Sequence, residues 1–177
     1  MFKNPTIIKE SFKGAPHTVA TIKKAALAAQ QHYSVRQLAE DICKDVRSKD
    51  YLSEMLAIYH YCCTNVNYRR DPRTIELVKA PWKVIEEELF KGRKPQGDCD
   101  DYSALLAALL LSIGCSVRIV TVAFKHMRYA GQRQYSHVFV QAYEPRSDQW
   151  ITLDPVAGEN TKAMHKRAVA AKIYPIA

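Results

Sequence analysis

The segment GDCDDYSALLAALLLSIG, residues 97–114, predicts a helix at the centre of the fold. Asp98 stands where an N-cap belongs, and Gly114 is the type of residue that commonly ends a helix in the left-handed conformation. Between them, residues 102–113 are apolar nearly all round. Because a helix without a polar face needs neighbours on several sides, we expect this helix to lie inside the domain.

Three segments after this helix are rich in Val, Ile, Thr and aromatic residues, namely 115–124, 135–143 and 150–153. Polar turns separate them, and this pattern predicts antiparallel strands with a hairpin loop over 128–134. The last stretch, 160–177, fits either a helix or a final strand near 169–173, and the sequence leaves both open.

The first half of the chain is predicted to be helical. Residues 19–32 are Ala-rich, and Ser34 followed by Gln37 matches a capping box at the start of a second helix. Asp50 precedes a third apolar stripe with helical spacing, and Pro81 suits the first turn of a short fourth helix. Helices followed by strands indicate the α+β class.

The length of 177 residues fits one domain of ordinary size. Residues 1–16 contain Pro5, Gly14 and Pro16 and show no sustained period, so they are predicted to be an extended arm. The remaining chain, 17–177, is predicted to form a single domain.

Composition excludes several classes of protein. The formal charge is +8, but the basic excess is spread along the chain. Short basic runs such as 165–167 are expected to be solvated. No nucleic-acid partner is therefore expected. The longest apolar run, 104–113, is too short to cross a bilayer, and residues 1–10 lack the pattern of a signal peptide. We therefore expect a cytoplasmic protein without a membrane partner.

The five cysteines lack the paired C-x-x-C spacing of zinc ribbons and redox motifs. Four of them, at 43, 62, 63 and 115, are expected to be buried, inert thiols. Cys99 differs because it falls on the first position of the central helix, where free backbone N–H groups stabilise a thiolate or an oxyanion. The neighbouring Asp98, Asp100 and Asp101 would raise its pKa unless they face away or are paired. Cys99 is reactive only if the groups that stabilise its thiolate outweigh these carboxylates. A reactive Cys99 is therefore predicted to have a pKa below that of a free thiol.

Two further residues complete a nucleophile, base and orienting acid. His137 lies in the predicted strand YSHVFV, 135–140, and Asp154 ends the following strand WITLDP, 150–155. A cysteine on a helix N-terminus, a histidine on one strand and a carboxylate on the next have the character of a thiol acyl-transfer site.

These segments, together with GDCDD at 97–101 and NYRRDP at 67–72, resemble the transglutaminase-like cysteine hydrolase superfamily. The resemblance extends over a catalytic core of about 50–158 and is closest to small transglutaminase-like proteins encoded in bacteriophage and prophage genomes. It implies Cys99 as nucleophile, His137 as general base and then acid, and Asp154 as the residue that orients the imidazole. It also implies a papain-like α+β fold in which the Cys99 helix packs on an antiparallel sheet.

The resemblance leaves part of the site open. Asp100 follows the cysteine where animal crosslinking enzymes have an aromatic residue, so their substrate chemistry is not carried over. A second oxyanion donor is unassigned, with Gln96 and Trp82 as weak candidates. No pattern of spaced acids suggests calcium, and neither a metal nor another cofactor is expected.

The function expected from the sequence is hydrolysis of an amide, peptide or isopeptide bond through a Cys99 thioester, with a protein or peptide as substrate. The alternative is a phage-associated structural or assembly protein that retains the fold and acts through contacts with other phage proteins. A phage-encoded protein would work in the host cytoplasm or be associated with the virion.

Overall fold

The computed structural model describes residues 7–11, 15–71, 75–126 and 133–176, which form six α-helices and eight strands. The helices are α1 (Ala15–Ala29), α2 (Tyr33–Cys43), α3 (Tyr51–Asn65), α4 (Pro81–Glu87), α5 (Cys99–Ser112) and α6 (Thr161–His165). The strands are β1 (Ile7–Ser11), β2 (Asn67–Tyr68), β3 (Ile75–Lys79), β4 (Gln96–Gly97), β5 (Val117–His126), β6 (Arg133–Glu144), β7 (Gln149–Leu153) and β8 (Ala170–Pro175). None of these helices is long and apolar enough to span a bilayer.

The central helix is α5, and its position confirms the prediction from its apolar sequence. It contacts α1, α2, α3 and α4 as well as β3, β5 and β6. Leu106, Leu109 and Leu110 have no exposed surface, and burying each leucine side chain contributes about 2 kcal/mol to folding. Gly114 adopts a φ of 87° just after the helix, which is the conformation expected of a glycine at that position.

The main sheet is antiparallel with strand order β7-β6-β5-β8. Along β6 the side chains alternate between its two faces. Val138, Val140 and Ala142 belong to the core cluster that contains the leucines of α5, whereas Phe139 packs in a second cluster with Val120 and Val122. The α+β class and the packing of the Cys99 helix on an antiparallel sheet are therefore confirmed.

Two small pairings lie outside the main sheet. β1 pairs antiparallel with β3, and β2 pairs in parallel with β4, which directly precedes α5. Residues 7–11 of the predicted arm thus form a strand, while residues 1–6 and 12–14 lie outside the described part of the chain. The division into an arm and a single domain remains a prediction.

The predicted capping box at Ser34 is wrong. α2 begins at Tyr33 with His32 as N-cap, and no side chain caps it. Ser34 lies inside the first turn, where it is buried and hydrogen-bonded to His32 Nδ1 at 2.9 Å. The ring of His32 also stacks on Trp82 at 4.9 Å, so a contact with α4 fixes the start of this helix instead of a local cap.

The C-terminal stretch forms both of the elements that the sequence left open. α6 is followed by β8, which pairs with β5 at the edge of the main sheet. The predicted hairpin loop over 128–134 falls mainly on residues 127–132, which lie outside the described part of the chain, and residues 133–134 belong to β6.

Candidate active site

His137 and Asp154 form a buried pair at one end of β6 and β7. The antiparallel register, with Val140 opposite Leu153, brings the residue after β7 close to His137. His137 Nε2 lies 2.7 Å from Asp154 Oδ2, and the exposed fractions of the two side chains are 7% and 0%. Because an ionised carboxylate only accepts hydrogen bonds, this contact places the imidazole proton on Nε2 and leaves Nδ1 with a free lone pair.

Asp154 is held by three donors. Its Oδ1 accepts from the Ala157 backbone N–H at 3.1 Å, and its Oδ2 accepts from His165 Nε2 at 2.9 Å as well as from His137. Burial raises the pKa of the Asp154 carboxyl, but the contacts with the two histidines and with Ala157 outweigh burial and lower it below its ordinary value. The carboxylate is therefore ionised at neutral pH.

His165 is the residue that the sequence analysis missed. The run 165–167 was expected to be solvated, yet only 21% of the His165 side chain is exposed. Its partner lies 11 residues earlier in a separate element, so no local pattern links the two residues. The hydrogen bond could be found only once the fold of 160–177 was known.

Cys99 is the first residue of α5, as predicted, and Asp98 is the N-cap. The Asp98 carboxylate accepts from the backbone N–H of Asp100 at 3.0 Å, while the Cys99 thiol donates to Asp100 Oδ1 at 3.7 Å. The backbone N–H of Val138 forms a hydrogen bond to the sulfur. The sulfur thus lies where the start of α5 meets β6, beside the residue that follows His137.

The prediction of a low pKa for Cys99 is wrong. Burial raises the pKa of its thiol well above the ordinary value, and the charges of Asp100 and then Asp98 raise it further. The Val138 N–H lowers it, but not enough to compensate. Cys99 is therefore a neutral thiol at rest near neutral pH.

Asp101 is turned toward β3. Its Oδ1 accepts from the Lys79 backbone N–H at 2.8 Å, and its burial raises the pKa of the carboxyl to about 7. Gly97 leaves room for this side chain, because a Cβ at position 97 would lie 2.6 Å from Asp101 Cβ. The acid therefore links β3 and β4 to the first turn of α5.

The two candidates for a second oxyanion donor are engaged with other groups. The Gln96 side chain is exposed, and its Oε1 accepts from Arg69 at 2.6 Å. Trp82 lies on α4, where its indole ring stacks on His32 and Lys83 Nζ lies 5.4 Å from the ring centroid. The oxyanion role of either side chain stays a prediction.

The other four cysteines are free thiols. Burial raises the pKa of Cys43 to about 11 and that of Cys115 to about 12, and it also raises the pKa values of Cys62 and Cys63. The expectation that they are inert thiols is consistent with these directions.

Within the described part of the chain, two groups of side chains each bring three potential metal-ligand atoms within 4.8 Å of one another. They are His137, Asp154 and His165, and Asp98, Cys99 and Asp100. In the first group, the hydrogen bonds from the two imidazoles to one carboxylate oxygen account for the short distances. In the second, N-capping and the thiol hydrogen bond do so.

Comparison with solved structures shows the same fold. The structure of "a putative protease" from Parabacteroides distasonis is similar with a TM-score of 0.58 and 15% identity, covering 93% of this chain and 30% of that one. That of "a putative cysteine protease" from Cytophaga hutchinsonii is similar with a TM-score of 0.53 and 18% identity, covering 96% of this chain and 57% of that one. This chain thus spans less than two thirds of either protein.

No curated protein matches the sequence. The family comparison does give a match, to the core domain of the Transglutaminase-like superfamily over residues 36–155. The matched range is more than half of the chain and contains Cys99, His137 and Asp154. The chain belongs to the Transglutaminase-like superfamily.

Proposed function

We propose that this protein is a thiol acyl-transfer enzyme that hydrolyses an amide, peptide or isopeptide bond, with Cys99 as nucleophile, His137 as base and acid, and Asp154 as orienting residue. The observation that carries the proposal is the buried hydrogen bond from His137 Nε2 to Asp154 Oδ2, which leaves His137 Nδ1 able to accept a proton. Membership in the superfamily and the likeness to two proteins named as proteases support it.

Acylation begins from the neutral thiol. The Cys99 S–H, which donates to Asp100 at rest, turns toward His137, and Nδ1 accepts the proton as the sulfur attacks the substrate carbonyl carbon. The new C–S bond moves the carbonyl electron pair onto oxygen, and backbone N–H groups beside the nucleophile would stabilise this oxyanion. The C–N bond then breaks, the amine leaves with the proton from His137, and a thioester remains on Cys99.

Deacylation uses the same groups in reverse. His137 Nδ1 takes a proton from water, the water oxygen attacks the thioester carbon, and the C–S bond breaks. The sulfur recovers the proton from His137, which restores the thiol and releases a carboxylic acid. Throughout, the ionised Asp154 stabilises the imidazolium form of His137.

The test is acetyl transfer from p-nitrophenyl acetate. The purified protein should release p-nitrophenol and carry an acetyl group on Cys99, detected by mass spectrometry of its peptides. Cys99→Ser and His137→Ala should each lower the rate by about 100-fold or more, since a base contributes 10²–10⁴ to such reactions. Cys43→Ser is the matched control, because Cys43 is a partly exposed free thiol at the end of α2, and it should leave the rate unchanged.

The opposite result is equally informative. Acetylation of Cys99 that is no faster than that of the other cysteines, and indifferent to His137→Ala, would reject the enzyme. It would favour a protein that keeps the fold and acts through protein contacts.

A further inference from the structure

His165 lies outside the residues that match the superfamily, so the family gives it no role. It ends α6, and its Nε2 lies 2.9 Å from Asp154 Oδ2, the same oxygen that accepts from His137. Its side chain is mostly buried, with 21% exposed. A histidine so placed is not part of a solvated basic run.

Two contacts fix the His165 ring. One face stacks on Phe139, with ring centroids 4.3 Å apart and an interplanar angle of 25°, while the Nε2 edge meets Asp154. Phe139 is two residues beyond His137 and lies on the same face of β6. The sheet that carries His137 therefore also sets the position of His165.

The Asp154 carboxylate depends on these donors because its side chain has no exposed surface. Both imidazoles must hold a proton on Nε2 to donate to it, and the Ala157 N–H occupies the other oxygen. Tyr59 and Cys63 of α3 also face Asp154, but burial raises their pKa values, so both are neutral near neutral pH. Among the described residues, His165 is thus one of two side chains that donate to this buried charge.

We propose that His165 is a positioning residue: its Nε2–H fixes the orientation of the Asp154 carboxylate, which in turn holds His137 as the tautomer whose Nδ1 can take the Cys99 proton. The consequence for catalysis rests on the proposed function. The hydrogen bonding itself does not, and it can be measured in a protein without activity.

Two variants separate the hydrogen bond from the packing. His165→Phe keeps an aromatic ring for stacking on Phe139 but removes the donor, whereas His165→Gln restores an N–H at a similar reach. His60→Phe is the matched control, because His60 is an exposed histidine on α3 that also contacts an aromatic ring.

NMR gives the first readout. In His165→Phe the titration midpoint of the Asp154 carboxyl carbon should rise by about one to two pH units, as expected when a buried charge loses a hydrogen bond. The ¹⁵N shifts of His137 should show a loss of the pure Nε2–H tautomer. His165→Gln should restore both signals, and His60→Phe should match the wild type.

Acetyl transfer to Cys99 gives the second readout. The rate should fall by about tenfold or more in His165→Phe, as is typical when a supporting group is lost, and should recover in His165→Gln to within about threefold of the wild type. An unchanged Asp154 midpoint in His165→Phe, or a Gln variant no better than the Phe variant, overturns the proposal. NMR changes as expected in a protein that never acetylates Cys99 would support the hydrogen-bonding role and reject the proposed function instead.

Discussion

Replacing Asp100 by asparagine should lower the pKa of the Cys99 thiol and speed its alkylation. The Asp100 carboxylate accepts from the thiol at 3.7 Å, and its charge is the largest contribution to the raised pKa after burial. Asparagine has the same shape and keeps an oxygen that can accept from the thiol, but it carries no charge. The substitution therefore removes the electrostatic contribution and leaves burial nearly unchanged.

The distance sets the size of the effect. Two unit charges 3.7 Å apart repel by about 4.5 kcal/mol at an effective dielectric constant of 20 and by about 1.1 kcal/mol in bulk water. At 1.36 kcal/mol per unit, the expected decrease in pKa is about one to three units. The nucleophilicity of a thiolate falls with its pKa, with a Brønsted slope of about 0.45. Alkylation well below the pKa should therefore become about 3-fold to 45-fold faster.

The assay is the rate of iodoacetamide labelling of the Cys99 peptide from about pH 6 to about pH 10, a range in which the raised pKa keeps the wild-type thiol largely protonated, so a lower pKa shows as faster labelling. Asp41→Asn makes the same change in net charge at an exposed position of α2 and serves as the control. Thermal unfolding of Asp100→Asn shows whether the variant is folded at each pH. A folded variant whose Cys99 is labelled no faster than that of the wild type would refute the reasoning, since burial and Asp98 would then account for the raised pKa.

Three further predictions concern the stability of the domain. Asp101→Asn should stabilise the protein more at pH 8 than at pH 5, by up to about 3 kcal/mol in chemical denaturation. The pKa of Asp101 is raised to about 7 in the folded protein, so the wild-type fold loses stability as pH rises from the ordinary pKa of an aspartate toward 7, and asparagine does not titrate. Gly97→Ala should cost about 1–3 kcal/mol in the same measurement, because the new Cβ would lie 2.6 Å from Asp101 Cβ, and a cost near zero would show that Asp101 can move. Leu109→Ala should cost about 2–5 kcal/mol because Leu109 has no exposed surface, whereas Leu52→Ala, at a residue 40% exposed, should cost less than about 1 kcal/mol.

The parts of the fold that the sequence predicts are those set by neighbouring residues. Asp98 and Gly114 bound α5 because capping and a left-handed turn act within a few residues. Asp50 likewise caps α3 by accepting from the Ser53 N–H at 3.2 Å. The alternation of Val138 and Val140 with Phe139 is enough to assign the two faces of β6.

The parts that the sequence does not predict depend on contacts between distant elements. Ser34 matches a capping box locally, but the stacking of His32 on Trp82 moves the start of α2. His165 reaches Asp154 and Phe139 only when α6 packs against β6 and the end of β7. The pKa of Cys99 is the sum of burial and several charges, and no local pattern gives that sum.

The raised pKa of Cys99 bears on how the proposed enzyme would be activated. The N-terminus of α5 is a place that favours an anion, but here Asp98 already accepts the Asp100 N–H, and Asp98 and Asp100 bring two negative charges to the first turn. The positive end of the helix is therefore neutralised by carboxylates instead of stabilising a thiolate. In the proposed mechanism, deprotonation of the sulfur is left to His137 and must accompany attack on the substrate. In that mechanism the hydrogen bonds that Asp154 accepts from His137 and His165 matter more than they would beside a preformed thiolate, because they hold the ring that must take the proton in the first step.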